Sequence, residues 1–244
     1  DITTFKELGL CEWICNSTLS MGYKQPTPIQ INCIPAILKN RDVMGCAETG
    51  SGKTAAFALP ILQDLSYDPY GIFCVCLTPT RELAMQISEQ FSVFGATFNV
   101  RVALVIGGGN ILQQRSELQK LPHIVVGTPG RLRSHIEHDM IKLNKVKYFV
   151  LDEADRLLCD GFASDISIIT KKLPSNEHRR TLLFSATLTD SMTNMETLNM
   201  KNTLHFNVNQ THVIPTTIAQ EYIFVPHHAK ESYLVCMLTY ILYP

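Results

Sequence analysis

Short apolar runs alternate with longer segments of helical period along most of this chain. The runs cover residues 43–46, 72–78, 102–106, 123–127, 148–151 and 181–184, with 203–206 as a shorter candidate. Their length and near-continuous apolar character suit strands buried on both faces. Residues 55–65, 81–94, 110–118, 130–138, 166–172 and 191–198 read as helices. Two further helices, 8–19 and 28–38, precede the first strand, and Pro28 at a helix start gives up no hydrogen bond. Alternating strands and helices predict an α/β domain, a central mostly parallel sheet with helices on both faces. After about residue 208 the alternation stops. A linker, a strand-like piece at 221–225 and a helix at 229–242 follow. Residues 1–208 and 209–244 are therefore expected to be separate domains, the second one incomplete.

Ligands of such sheets sit beyond the carboxyl ends of the strands, and that is where the polar motifs fall. The run 43–46 is followed by Ala47-Glu48-Thr49-Gly50-Ser51-Gly52-Lys53-Thr54 and then an apolar helix. Strand, glycine loop and helix form the context of a phosphate-binding loop: backbone N–H groups and the helix dipole converge on an anion. Lys53 is placed for the β- and γ-phosphates and the Thr54 hydroxyl for Mg²⁺. Ala47 departs from the strict pattern, which begins with Gly. The run 148–151 ends in Asp152-Glu153-Ala154-Asp155. Asp152 there is placed to hold Mg²⁺, directly or through water, and Glu153 to orient or deprotonate an attacking water.

Pro79-Thr80-Arg81-Glu82-Leu83 and Thr128-Pro129-Gly130-Arg131 each open a helix after a strand. Both offer a hydroxyl, free N–H groups and an arginine, an arrangement that grips phosphate. Gly107-Gly108-Gly109 ends a third strand, where bare backbone permits close approach. Ser185-Ala186-Thr187 ends a fourth, and its hydroxyls either bond the 152–155 segment or cap the next helix. Gln30 follows Gly22-Tyr23-Lys24-Gln25-Pro26-Thr27. Its amide suits a two-point reading of adenine; taken alone it reads as an exposed helix glutamine. Trp13 reads as packing, and Lys171-Lys172 and Arg179-Arg180 as solvated faces.

Composition narrows this further. With 244 residues, 45% hydrophobic and 18% charged, a packed core is expected rather than disorder. No apolar run reaches membrane-spanning length. None of the eight cysteines forms a Cys-x-x-Cys pair, so zinc is not expected, and a reducing compartment, cytosol or nucleus, fits. The sequence begins at Asp1 without Met, which reads as a piece of a longer protein. A net charge of −1 argues against a strongly basic nucleic-acid binder. Backbone N–H groups hold phosphates without adding charge, so nucleic acid is not excluded.

Together and in this order the segments resemble the DEAD-box ATP-dependent RNA helicases, over residues 5 to about 208. Residues 22–30 are similar to that family's Q motif, with Phe5 at the place of its isolated upstream aromatic. Residues 47–54 resemble motif I, where Ala in the first position is usual, and 79–83 motif Ia. Gly107-Gly108 resembles the GG motif, 128–131 motif Ib, 152–155 motif II and 185–187 motif III. The resemblance implies a RecA-like P-loop NTPase domain that uses ATP and Mg²⁺. It implies that Gln30 reads adenine, with Tyr23, Lys24, Thr27 and Phe5 completing the pocket. Thr49, Gly50, Ser51, Gly52, Lys53 and Thr54 would hold phosphates. Thr54 and Asp152 would hold Mg²⁺, Glu153 would be the catalytic base, and Asp155, Ser185 and Thr187 would couple nucleotide state to RNA binding. Pro79, Thr80, Arg81, Gly108, Thr128 and Arg131 would lie along the RNA backbone.

The family has a second RecA-like domain bearing an arginine finger, and no such segment is present in residues 1–244. The chain thus reads as the first domain of an RNA helicase, with its second domain as a partner and little turnover alone. An RNA clamp or assembly scaffold that does not unwind is the alternative, and the Q motif argues against a DNA translocase. Asp68-Pro69-Tyr70-Gly71 resembles members acting in ribosome biogenesis. That points to ribosome-assembly proteins as partners and to the nucleus, nucleolus or cytoplasm.

Overall fold

The computed structural model describes residues 4–159, 161–187, 198, 200–208 and 222–242. The chain divides into two compact units, Asp1–Asn209 and Gln210–Pro244. In the first, seven strands form one sheet: β1 (Val43–Cys46), β2 (Cys74–Leu77), β3 (Val102–Val105), β4 (Ile124–Gly127), β5 (Tyr148–Asp152), β6 (Arg180–Ser185) and β7 (Leu204–Asn207). Their order is β3-β4-β2-β5-β6-β1-β7, and every pair is parallel. Parallel neighbours need crossover connections, and helices supply most of them. They are α1 (Glu12–Ser20), α2 (Pro28–Leu38), α3 (Lys53–Tyr67), α4 (Arg81–Phe94), α5 (Ile111–Gln119), α6 (Pro129–Glu137), α7 (Ala154–Cys159) and α8 (Ala163–Thr170).

The two-residue period of the strands divides the core into two layers. Val43, Cys74, Cys76, Val126, Val150, Leu182 and Phe184 pack with α1–α4. Met44, Val75, Leu77, Val125, Phe149, Leu151 and Leu183 pack with α5–α8. Almost all are completely buried, each contributing roughly 1.5–3 kcal/mol for a large aliphatic or aromatic side chain. Cys33, Cys46, Cys74 and Cys76 are buried free thiols that serve as small apolar groups.

Two local expectations change in this unit. The first helix begins at Glu12 and not at residue 8. Residues 5–9 form turns, because buried Gln63 of α3 accepts from the Cys11 amide at 2.7 Å and donates to the Gly9 carbonyl at 3.0 Å. Arg179 is not on a solvated face. It is 2% exposed, lies over the Phe149 ring and donates to the Leu198 carbonyl at 3.1 Å. Lys171 and Lys172 are exposed as expected. The expected helix at 191–198 lies, apart from Leu198, outside the described residues.

In the second unit a short 3₁₀ turn, His227–Ala229, leads into α9 (Lys230–Leu242). The described part of the expected strand at 221–225 is irregular instead. Strand backbone needs a paired neighbour to satisfy its N–H and C=O groups, and none of the described residues of this unit provides one.

Candidate functional site

The carboxyl ends of β5, β6 and β1 are neighbours in the sheet, and each delivers a motif to one place. β1 runs into the glycine loop, and α3 starts at Lys53. Gly52 has φ +87°, which a side chain rarely tolerates, and a β-carbon there would collide with the Gln30 amide. Lys53 curls back over its own loop. Its ammonium donates to the Ala47 carbonyl at 2.6 Å and the Glu48 carbonyl at 2.9 Å. Burial lowers its pKa, and Asp152 opposes that shift.

Asp152 closes β5 and is 4% exposed. Its Oδ1 is buried without a hydrogen-bond partner. Burial raises its pKa to about 6, although the Lys53 charge pulls the other way. A buried carboxylate with an unpaired oxygen, in a cavity that Thr54 also lines, offers oxygen donors suited to a hard divalent cation. Glu153 follows with φ +52°, uncommon for a residue with a side chain. Its Oε2 accepts from Arg156 Nη1 at 2.9 Å. Beyond β6, Thr187 Oγ1 donates to Asp155 Oδ2 at 2.7 Å, while Ser185 Oγ donates to the Thr187 carbonyl at 2.8 Å. Of the two roles open to these hydroxyls, Thr187 takes the bond to the acidic segment.

A cavity of about 510 Å³ lies among these segments. It brings together Tyr23, Thr27, Thr49, Gly50, Gly52, Lys53, Thr54, Asp152, Glu153 and Asp155. Ser51, Phe5, Lys24 and Gln30 are not on its wall. Phe5 is buried in the α1–α4 layer, and Lys24 is exposed. Gln30 is completely buried, so the exposed-helix reading is wrong. Its Oε1 accepts from the Thr27 amide and its Nε2 donates to the Gly52 carbonyl, both at 3.0 Å. The turn ending at Thr27 and the glycine loop are thus joined through one side chain. One N–H and one lone pair of that amide remain for a ligand.

Leu83, Gln86 and Gln90 of α4 and Arg156 also line the cavity, and sequence reasoning missed them. Gln90 Oε1 is buried and unpartnered. The three α4 positions lie on one helical stripe at i, i+3 and i+7. That stripe was readable, but nothing in the sequence says it faces the loop.

The ends of β2, β4 and β3 form the other half of the same sheet edge. Thr80 caps α4, its Oγ1 accepting from the Leu83 amide at 3.3 Å, and Pro79 precedes it. Thr128 stands before α6 without using its hydroxyl as a cap. Arg81 packs on Gly107 and on Gly108, whose φ of +82° and missing β-carbon both matter, since a β-carbon would collide with the guanidinium. Arg131 Nη2 donates to the Gly109 carbonyl at 3.5 Å. The expected phosphate-gripping segments therefore meet on one surface. The run Asp68–Gly71 lies before β2, at the opposite edge, where the Tyr70 hydroxyl donates to the Lys145 carbonyl at 3.0 Å.

Comparison with known proteins agrees with this geometry. The sequence model of a family described as DEAD/DEAH box helicase matches residues 27–195. The "Probable ATP-dependent RNA helicase ddx49" of Dictyostelium discoideum is 50% identical over 236 residues, covering 96% of this chain and 46% of that protein. The "ATP-dependent RNA helicase DBP8" of Vanderwaltozyma polyspora is 49% identical over 246 residues, covering 96% of this chain and 57% of that protein. The crystal structure of a DEAD box protein from Methanococcus jannaschii superposes with a TM-score of 0.79 at 37% identity. It covers 96% of this chain and 63% of the other. The chain spans about half the length of the curated relatives it matches.

Proposed function

The chain belongs to the DEAD/DEAH box helicase family, and from that premise we propose that it binds ATP with Mg²⁺ in the cavity between the glycine loop and Asp152, as the nucleotide-binding part of an RNA helicase. One observation carries this reading: Asp152 Oδ1, a buried carboxylate oxygen with no partner, stands in the cavity that Lys53 and Thr54 also line. Asp152 and Thr54 would hold Mg²⁺, which when bound neutralises charge on the phosphates. Lys53, released from the Ala47 and Glu48 carbonyls, would take the phosphates together with the loop N–H groups. Gln30 would present its remaining donor and acceptor to adenine. Glu153, released from Arg156, would orient the attacking water.

Pro79, Thr80, Arg81, Gly108, Thr128 and Arg131 would hold the backbone of RNA, without reading sequence. Asp155, Ser185 and Thr187 would couple nucleotide state to RNA binding, Thr187 bonding Asp155 beside the phosphate site. Hydrolysis coupled to RNA binding and local unwinding would need the arginine finger of a second RecA-like domain. The likeness of Asp68–Gly71 to members acting in ribosome biogenesis supports a role with ribosome-assembly proteins, in nucleus, nucleolus or cytoplasm. Among the described residues no helix is long and apolar enough to cross a membrane.

Calorimetric titration with ADP, with and without Mg²⁺, tests the assignment. Mg²⁺ should tighten binding, and Asp152→Asn should abolish that gain. Equal affinity with and without Mg²⁺ would remove Asp152 from the site.

A further inference from the structure

The turn Gly107–Gly109 has no side chains with which to fix its own shape, so its geometry must come from neighbours. Three helices supply it. Arg81 at the start of α4 packs on Gly107 and Gly108. Arg131 of α6 reaches the Gly109 carbonyl. Gln114 of α5, 9% exposed, donates its Nε2 to the Ile106 carbonyl at 2.9 Å, at the entrance of the turn. Gln114 is itself held from the far side. Its Oε1 lies 3.2 Å from Nε2 of His135, which is completely buried one turn along α6 from Arg131.

We propose that Gln114 and His135 are positioning residues for the RNA-backbone surface: the chain His135–Gln114–Ile106 locks the glycine turn to α6, so that Gly108, Thr128 and Arg131 present one fixed phosphate site. This rests on the RNA reading of that surface given above. Side chains whose own partners hold them in place are what a precise binding site requires. A buried polar link also specifies one arrangement where apolar contacts would allow several.

The link admits one tautomer. Gln114 Nε2 is spent on Ile106, so its Oε1 faces the ring and His135 Nε2 must carry the hydrogen. Nδ1 then faces the Met140 sulfur at 3.4 Å, which has no hydrogen to give. Burial lowers the His135 pKa, and the charges of Arg131 and His138 act in the same direction. Of the other charges on the packed elements, Arg133 is committed to Glu137 at 2.7 Å and to Asp165 of α8 at 2.9 Å. On α5, Glu117 is paired with Lys120 at 2.7 Å and Arg115 is exposed. A charge on this completely buried ring would have no counter-charge among its partners, so RNA affinity should fall as pH drops below the ordinary histidine range, although no phosphate or arginine titrates there.

Fluorescence anisotropy of this chain with a labelled oligouridylate at low salt, where phosphate contacts weigh most, tests the proposal. Arg131→Ala is the control for the RNA assignment and should weaken binding on the order of tenfold. His135→Leu and Gln114→Leu should weaken it by a similar factor, with a thermal unfolding transition confirming that the variants fold. His135→Gln places an amide N–H near the former Nε2–H and does not titrate. It should keep the unmodified affinity and abolish the loss that the unmodified chain shows below the ordinary histidine range. No effect of Arg131→Ala would overturn the RNA reading itself. With Arg131→Ala impaired, a His135→Gln chain that retained the unmodified pH profile would overturn the positioning role alone, whether or not the leucine variants fold.

Discussion

The Lys53 ammonium donates to the Ala47 carbonyl at 2.6 Å, so the lysine assigned to phosphate is held by its own loop. Two carbonyls satisfy a partly buried cation that would otherwise lose solvation without return. A nucleotide must replace those contacts with phosphate oxygens. Lys53→Ala should therefore weaken ADP binding at least about tenfold, the scale of one charged hydrogen bond. AMP, which lacks the β-phosphate, should lose far less. Calorimetry with the two ligands checks the split; equal losses would place Lys53 elsewhere.

Asp152 has the opposite problem: its Oδ1 is buried without a hydrogen-bond partner, and the Lys53 charge does not offset the burial. Its pKa rises to about 6 on folding, so between the ordinary carboxylate range and that value the folded chain binds more protons than the unfolded one. Stability must then fall as pH rises through this window, and the full cost is present above about pH 6. Asp152→Asn removes the charge. It should raise the stability of the nucleotide-free chain at neutral pH by on the order of 2 kcal/mol, with little gain near pH 4. Denaturant titrations at both pH values read this directly. A less stable Asn variant at neutral pH would mean that the Lys53 charge outweighs the burial of Asp152.

Gln30 carries two roles on one amide. Its bonds to Thr27 and Gly52 hold the turn and the loop together, and the groups left over are proposed to pair with adenine rather than guanine. Because guanine would leave them unpaired, ADP should bind at least about a hundredfold more tightly than GDP. Gln30→Leu should reduce that preference and lower the unfolding midpoint as well. Comparable ADP and GDP affinities in the unmodified chain would end the adenine assignment.

Much of this was readable in the residues. The bounds of β1, α2 and α4 follow from patterns that local chemistry settles: an apolar run before a glycine loop, proline at a helix start, threonine as a cap. What stayed hidden depends on contacts distant in sequence. The start of α1 is set by Gln63, more than 50 positions away. Arg179 looks like a surface charge until Phe149 and the Leu198 carbonyl are placed around it. The short α7 follows directly from the acidic motif, too brief to show a period. Gln90 and Arg156 reach the cavity only because α4 and α7 dock beside the loop.

The central claim is that residues 1–244 hold the nucleotide and the water-orienting carboxylate but not the full catalytic set. The loop, the proposed Mg²⁺ ligands and Glu153 would supply positioning, charge neutralisation and the oriented water. A cation on the developing charge is worth on the order of 10³–10⁵ in rate, and the second RecA-like domain is proposed to bring it. Steady-state phosphate release, with and without single-stranded RNA, should be measured for residues 1–244 and for a protein carrying both domains. The account predicts ADP and ATP binding by residues 1–244 with turnover at least about a thousandfold slower than the longer protein. It also predicts that Glu153→Gln in the longer protein keeps ATP binding and loses turnover. RNA-stimulated release by residues 1–244 at the rate of the longer protein would contradict it.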